Sequence, residues 1–205
     1  MGQLSSFRSC DKMIKNGCQT RFEGMKMIPL MTGASHTGKT LLAQKILEEY
    51  QIPYLSMDLL KMGLIRSNYV NLTPKDDDAL QGYMWPMVRE MIKTAIENRQ
   101  NLVIEGAYIP FGWEKDFSDE YLREIQYKCL VMSRRYIENH FLDIRAHACD
   151  IEKRIDDSWC TMEFLIAENA RYLDMCEKHQ YPFMFIDEGY EVDVNLSIEH
   201  GPAIP

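Results

Sequence analysis

Residues 33–40 read Gly-Ala-Ser-His-Thr-Gly-Lys-Thr and meet every fixed position of the pattern G-x-x-x-x-G-K-[ST]. Each residue type there has a chemical task. Gly33 and Gly38 let the backbone curl so that the amides of Ala34, Ser35, His36 and Thr37 face one anion, and a following helix adds its positive end. Lys39 can reach β- and γ-phosphates, and the Thr40 hydroxyl can ligate Mg²⁺. His36 fills an unrestricted position of this nucleotide-binding set and is read as loop, not as a base.

Two carboxylates follow apolar runs. Asp58 ends Ser56-Met57-Asp58, where it can orient an acceptor hydroxyl and take its proton, hold Mg²⁺ through water, or cap a helix. Arg66, further on, can pair an acceptor's carboxylate or phosphate. Glu105 ends Leu102-Val103-Ile104-Glu105 and can contact Mg²⁺-bound water or the acceptor. Gly106 after it lets the backbone approach a ligand or simply turn. The segment from Arg145 to Arg154 is charged and poor in large apolar residues, as expected of a lid that closes cations over a triphosphate.

These residues need elements to hold them in place. Apolar runs at 27–31, 53–57, 101–105, 128–133 and 182–186 lack in–out alternation, which predicts strands buried on both faces. Between them lie helical patterns. Leu42, Ala43, Ile46, Leu47 and Tyr50 follow the loop; Leu80, Tyr83, Met84, Met87, Val88, Met91, Ile92 and Ala95 step by three and four, with Pro86 expected to break or kink that helix. Core packing explains the Met84, Met87 and Met91 stripe. Further helices are expected from Tyr136 to about Arg145 and from Asp156 to His179. The alternation predicts an α/β fold, a parallel five-stranded sheet sandwiched by helices, with ligands at the strand carboxyl ends. Residues 32–40, Asp58, Glu105, Gly106, Arg134 and Asp187 then wall the site. Asp76, Asp77 and Asp78 read as a helix N-terminal charge cluster.

Taken together, the motifs resemble the small P-loop kinases of the nucleoside-monophosphate, shikimate and gluconate kinase group, from about Met25 to Asp187. Residues 102–110 and His140-Phe141, Arg145, Arg154 and Arg171-Tyr172-Leu173 look like 2-phosphoglycerate kinases, as does Ser56-Met57-Asp58 with Arg66. Arg154-Ile155-Asp156-Asp157 is similar to the lid exit of adenylate kinases. The resemblance implies a P-loop NTPase fold and a kinase using ATP and Mg²⁺. It assigns Lys39 and Thr40 to phosphate and metal, Asp58 and Arg66 to the acceptor, and Arg145 and Arg154 to the lid. The acceptor stays open between a hydroxy-acid such as phosphoglycerate and a nucleoside monophosphate. A nucleotide-binding regulatory protein that lost transfer is the other class.

The organisation expected is an N-terminal extension, residues 1–24, then one domain, 25–205, with an acceptor-binding segment at about 58–90 and a lid at about 145–157. A net charge of −8 argues against a general nucleic-acid or membrane-surface binder. No apolar run approaches a membrane span, and the N-terminal residues lack a signal-peptide core. Six cysteines without a paired C-x-x-C spacing suit reduced thiols in a cytoplasmic monomer or homodimer better than a zinc site built from His147, Cys149 and Cys160.

Overall fold

The computed structural model describes residues 27–147 and 159–190. Its centre is a sheet of strands β1 (Ile28–Gly33), β2 (Tyr54–Ser56), β3 (Val103–Glu105), β4 (Ile125–Met132) and β5 (Phe183–Ile186), in the order β2-β3-β1-β4-β5. All pairings are parallel. The helices are α1 (Lys39–Tyr50), α2 (Met57–Arg66), α3 (Asp77–Glu97), the short α4 (Asp119–Leu122), α5 (Arg134–Ala146) and α6 (Met162–His179).

Both faces of the sheet are covered, which is why its central strands are apolar without alternation. Leu30, Ile104, Cys129 and Val131 face one core, shared with Leu80, Met84 and Val88 of α3. Their chain neighbours Met31, Val103, Leu130 and Met132 face the other, shared with Leu42 and Ile46 of α1 and Ile137 of α5. Helix α6 contributes to both, through Tyr172 and Cys176 on the first side and Leu165 on the second. Its buried Asn169 lies between them and accepts the Met132 N–H at 2.8 Å, tying α6 to the end of β4.

Three expectations need correction. Pro86 does not break its helix: α3 runs unbroken through it. Proline removes the donor to the carbonyl four residues back. Here that residue is Gly82, which is exposed, so the carbonyl can be served by water. The methionine stripe is only partly core, because Met84 is buried whereas Met87 and Met91 lie on the exposed side with Tyr83. The last helix begins at Met162, not Asp156, because the Thr161 hydroxyl caps it by accepting the Phe164 N–H. Residues 148–158 lie outside the described residues, and Trp159 is in a turn before the helix. Among the described residues no helix is long and apolar enough to cross a membrane.

Candidate functional site

Register brings the candidate residues to one end of the sheet. Met31 pairs with Glu105, Glu105 with Ser56, and Gly33 with Leu130. The loop after β1, the acid ending β3 and the first turn of α2 therefore share the carboxyl edge. The chain leaves β1 toward β2 on one side and returns after β3 to β4 on the other. The end of β1 is thus the point where the topology switches, where α/β sheets bind ligands.

Within the loop, Thr37 Oγ1 donates to the Ala34 carbonyl at 2.8 Å, and the Lys39 ammonium donates to the same oxygen at 2.7 Å. Gly38 caps α1 with φ 79° and ψ 23°, a left-handed conformation, and as glycine it offers no side chain to the amides of the first turn. The Tyr190 hydroxyl donates to the Thr37 carbonyl at 3.0 Å, and a Cβ at position 38 would lie 1.6 Å from its oxygen. His36 has φ 63°; its ring meets Trp159 edge-on at 5.8 Å, and its Nδ1 stands 3.7 Å from Cys160 Sγ. It is a joint between the loop and the start of α6. Opposite, the Ser35 amide donates to Glu168 Oε2 of α6 at 2.8 Å.

Thr40 and Glu105, separated by 65 positions in sequence, meet: Thr40 Oγ1 donates to Glu105 Oε2 at 3.4 Å, and Glu105 is 1% exposed. A hydroxyl and a carboxylate at that separation fit Mg²⁺, a hard ion that takes few protein oxygens and completes its shell with water and phosphate oxygens. The donor set therefore suits a metal carried with a nucleotide. Among the described residues, no group of three His, Cys, Asp or Glu side chains could hold a metal ion. The zinc alternative cannot be placed, since Cys149 lies outside the described residues.

Helix α2 carries Asp58 and Arg66, the residues expected at an acceptor. Gly106 has φ 152°, and a Cβ there would come within 2.7 Å of Met57 Cβ, so this glycine admits the start of α2 against the end of β3. Asp58 follows Met57 as the second residue of the helix, while Ser56 holds the cap position. Asp58 is thus not the N-cap. Its Oδ1 pairs with Lys61 Nζ at 3.0 Å. Lys61 also donates to the Tyr108 hydroxyl at 2.6 Å, and Tyr108 donates to Asp77 Oδ1 at 2.6 Å. Burial, then the Asp77 and Asp58 carboxylates, push the Tyr108 phenol far up, so it stays a donor. Asp77 keeps its expected place in the first turn of α3, and Asp76 accepts the Thr73 amide and hydroxyl at 2.7 Å. Sequence did not single out Lys61, and it gave Tyr108 and Asp77 no part in the site, Asp77 being read only as a helix N-terminal charge. The only local signal was the three-residue step from Asp58 to Lys61, which places both on one helix face.

The remaining candidates do not join this cluster. Arg66 is exposed in the last turn of α2, eight positions and about 12 Å of helix from Asp58. Arg134 is exposed and pairs with Glu138 at 2.7 Å. Asp187 at the end of β5 is held by the Ser133 hydroxyl and by Arg135, which lower its pKa in that order. Arg145 is exposed, its guanidinium 6.0 Å from the Phe141 ring centre. Arg154 and most of the expected lid lie outside the described residues.

No protein-family model matches this chain, and no curated protein matches it in sequence. Solved structures do match. A candidate kinase from Chloroflexus aurantiacus J-10-fl aligns at 17% identity with a TM-score of 0.54, over 83% of this chain and 94% of the other. Deoxyadenosine kinase from M. mycoides aligns at 13% identity with a TM-score of 0.48, over 82% and 93%. Shikimate kinase from Bacteroides thetaiotaomicron aligns at 13% and 0.47, over 78% and 85%. With its all-parallel five-stranded sheet between helices, this chain has the α/β fold of the P-loop NTPases.

Proposed function

We propose that this chain is an ATP-dependent kinase that transfers a phosphoryl group to a hydroxyl of a small acceptor, a hydroxy-acid such as phosphoglycerate or a similar metabolite. The observation that carries this reading is the 3.4 Å contact between Thr40 and Glu105 beside the loop, at the same sheet edge as Asp58. Lys39 leaves the Ala34 carbonyl to contact phosphate oxygens, and the loop amides bind the rest of the phosphate chain. Bound Mg²⁺ would neutralise phosphate charge, held by Thr40 directly and by Glu105 through water. Asp58 accepts the proton of the acceptor hydroxyl as that oxygen bonds the γ-phosphorus of ATP and the bond to the β–γ bridging oxygen breaks, releasing ADP; Lys61 and Tyr108 hold Asp58 and its surroundings in place. Arg66 remains a proposed acceptor contact, and Arg145 and Arg154 proposed lid cations. Arg154→Ala should then lower turnover more than ATP affinity.

A second reading, a nucleotide-binding regulatory protein without transfer, is favoured by the contacts of Glu168 and Tyr190 on the loop. One experiment separates the two. Pure protein with ATP and Mg²⁺ is offered hydroxy-acids, sugars and nucleoside monophosphates, and phosphorylated product is measured. Turnover of a hydroxy-acid supports the proposal, turnover of a nucleoside monophosphate redirects it to an adenylate-type kinase, and ATP binding without any product supports the regulator.

A further inference from the structure

The Ser35 amide belongs to the run of loop N–H groups that a phosphate would use, yet it donates to Glu168 Oε2 at 2.8 Å, across 133 positions of sequence. Helix α6 is fixed just beyond this carboxylate. Asn169, its neighbour, accepts the Met132 N–H and donates to the Leu165 carbonyl, both at 2.8 Å. One turn further on, Tyr172 donates to the Ala107 carbonyl at 3.2 Å. Glu168 is therefore delivered to the loop by a well-anchored helix. Two more groups of the chain occupy loop atoms: Lys39 on the Ala34 carbonyl, and Tyr190 on the Thr37 carbonyl and against Gly38.

An amide that already serves a carboxylate cannot serve a phosphate, and two anions side by side in a confined loop repel. Building on the nucleotide-binding reading above, we propose that Glu168 is an affinity-setting residue of the nucleotide site. It is an internal anion that holds the Ser35 amide until nucleotide phosphate displaces it. Arg171, exposed and three residues on in the same helix, can receive the released carboxylate. The apparent dissociation constant is then the intrinsic one divided by the fraction of molecules with the latch open. A charge-assisted hydrogen bond to a backbone amide is strong enough to make that factor about ten.

The test is titration calorimetry of Mg·ATP and Mg·ADP into the full chain, Glu168→Gln and Glu168→Ala, with thermal unfolding to show that each is folded. Both variants should bind ATP about tenfold more tightly than the wild type. A smaller gain for ADP would mark the terminal phosphate as the one that meets Ser35. Equal or weaker ATP binding by a folded variant overturns the latch and makes Glu168 a brace that keeps the loop in shape. If Glu168→Ala does not fold, Glu168→Gln decides alone, since it keeps the size and removes the charge. If neither nucleotide binds wild type or variants, the nucleotide reading itself fails and the latch with it. Binding by the variants only would support both.

Discussion

The Lys39 ammonium is buried and rests on a carbonyl of its own loop at 2.7 Å, so its removal should leave the fold intact and reach only the ligand. Lys39→Ala forfeits contacts worth about 1.5–3 kcal/mol, hence a tenfold or larger loss of ATP affinity by calorimetry. Unchanged affinity would remove Lys39 from the site. Asp58 poses a different question, because it has a partner at 3.0 Å in Lys61 and a place in the first turn of α2. Asp58→Asn keeps size and loses the basic oxygen. Turnover should fall by about 10²-fold with ATP affinity near wild type. A variant that keeps its turnover and loses only thermal stability would make Asp58 a helix-end charge.

Elements decide how these side chains meet. The N-terminus of α2 packs so closely on the end of β3 that Gly106→Ala places a Cβ 2.7 Å from Met57 Cβ, at a φ of 152°. Strain of that kind costs about 1–3 kcal/mol, measurable by urea unfolding, and the same shift should carry Asp58 off position and slow turnover. Asn169→Leu probes the other side. It leaves the Met132 amide without its acceptor in a buried place, at about 1–3 kcal/mol. These meetings also explain what sequence could and could not reveal. The loop was legible because its signal is local and consecutive, Glu105 because it ends an apolar strand, and Asp58 because it stands two residues past one, in the first turn of α2. Lys61 meeting Tyr108, Asp77 meeting Tyr108, and Glu168 meeting Ser35 arise from packing of elements far apart in the chain. No periodicity encodes them. That α3 is not broken was hidden for a related reason: whether Pro86 ends a helix depends on whether the Gly82 carbonyl can find water, which is a tertiary fact.

At the scale of the whole molecule, two cores share one sheet and α6 crosses between them, so ligand binding at the sheet edge should raise the stability of the entire unit. With ATP and Mg²⁺ at a hundredfold excess over the dissociation constant, linkage adds about 2.7 kcal/mol. For a chain of this size that is a rise in Tm of about 5–10 °C. Scanning calorimetry should find it in the wild type and a much smaller rise for Lys39→Ala at the same nucleotide concentration. The unbridged thiols of Cys129, Cys160 and Cys176 are all buried. Cys129 and Cys176 lie in the core beneath α3, Cys160 in the core beneath α1 and α5. The Cys176 sulfur and burial push the Cys129 thiol up, and a thiol-specific reagent needs both access and thiolate. Each cysteine is therefore a built-in clock that runs only while its own layer is open. With Cys10, Cys18 and Cys149 replaced by serine, labelling followed by mass spectrometry times the layers separately. Because Cys160 Sγ stands 3.7 Å from His36 in the loop, ATP with Mg²⁺ should slow its clock more than that of Cys129. Equal slowing would mean that both layers open only when the whole chain unfolds.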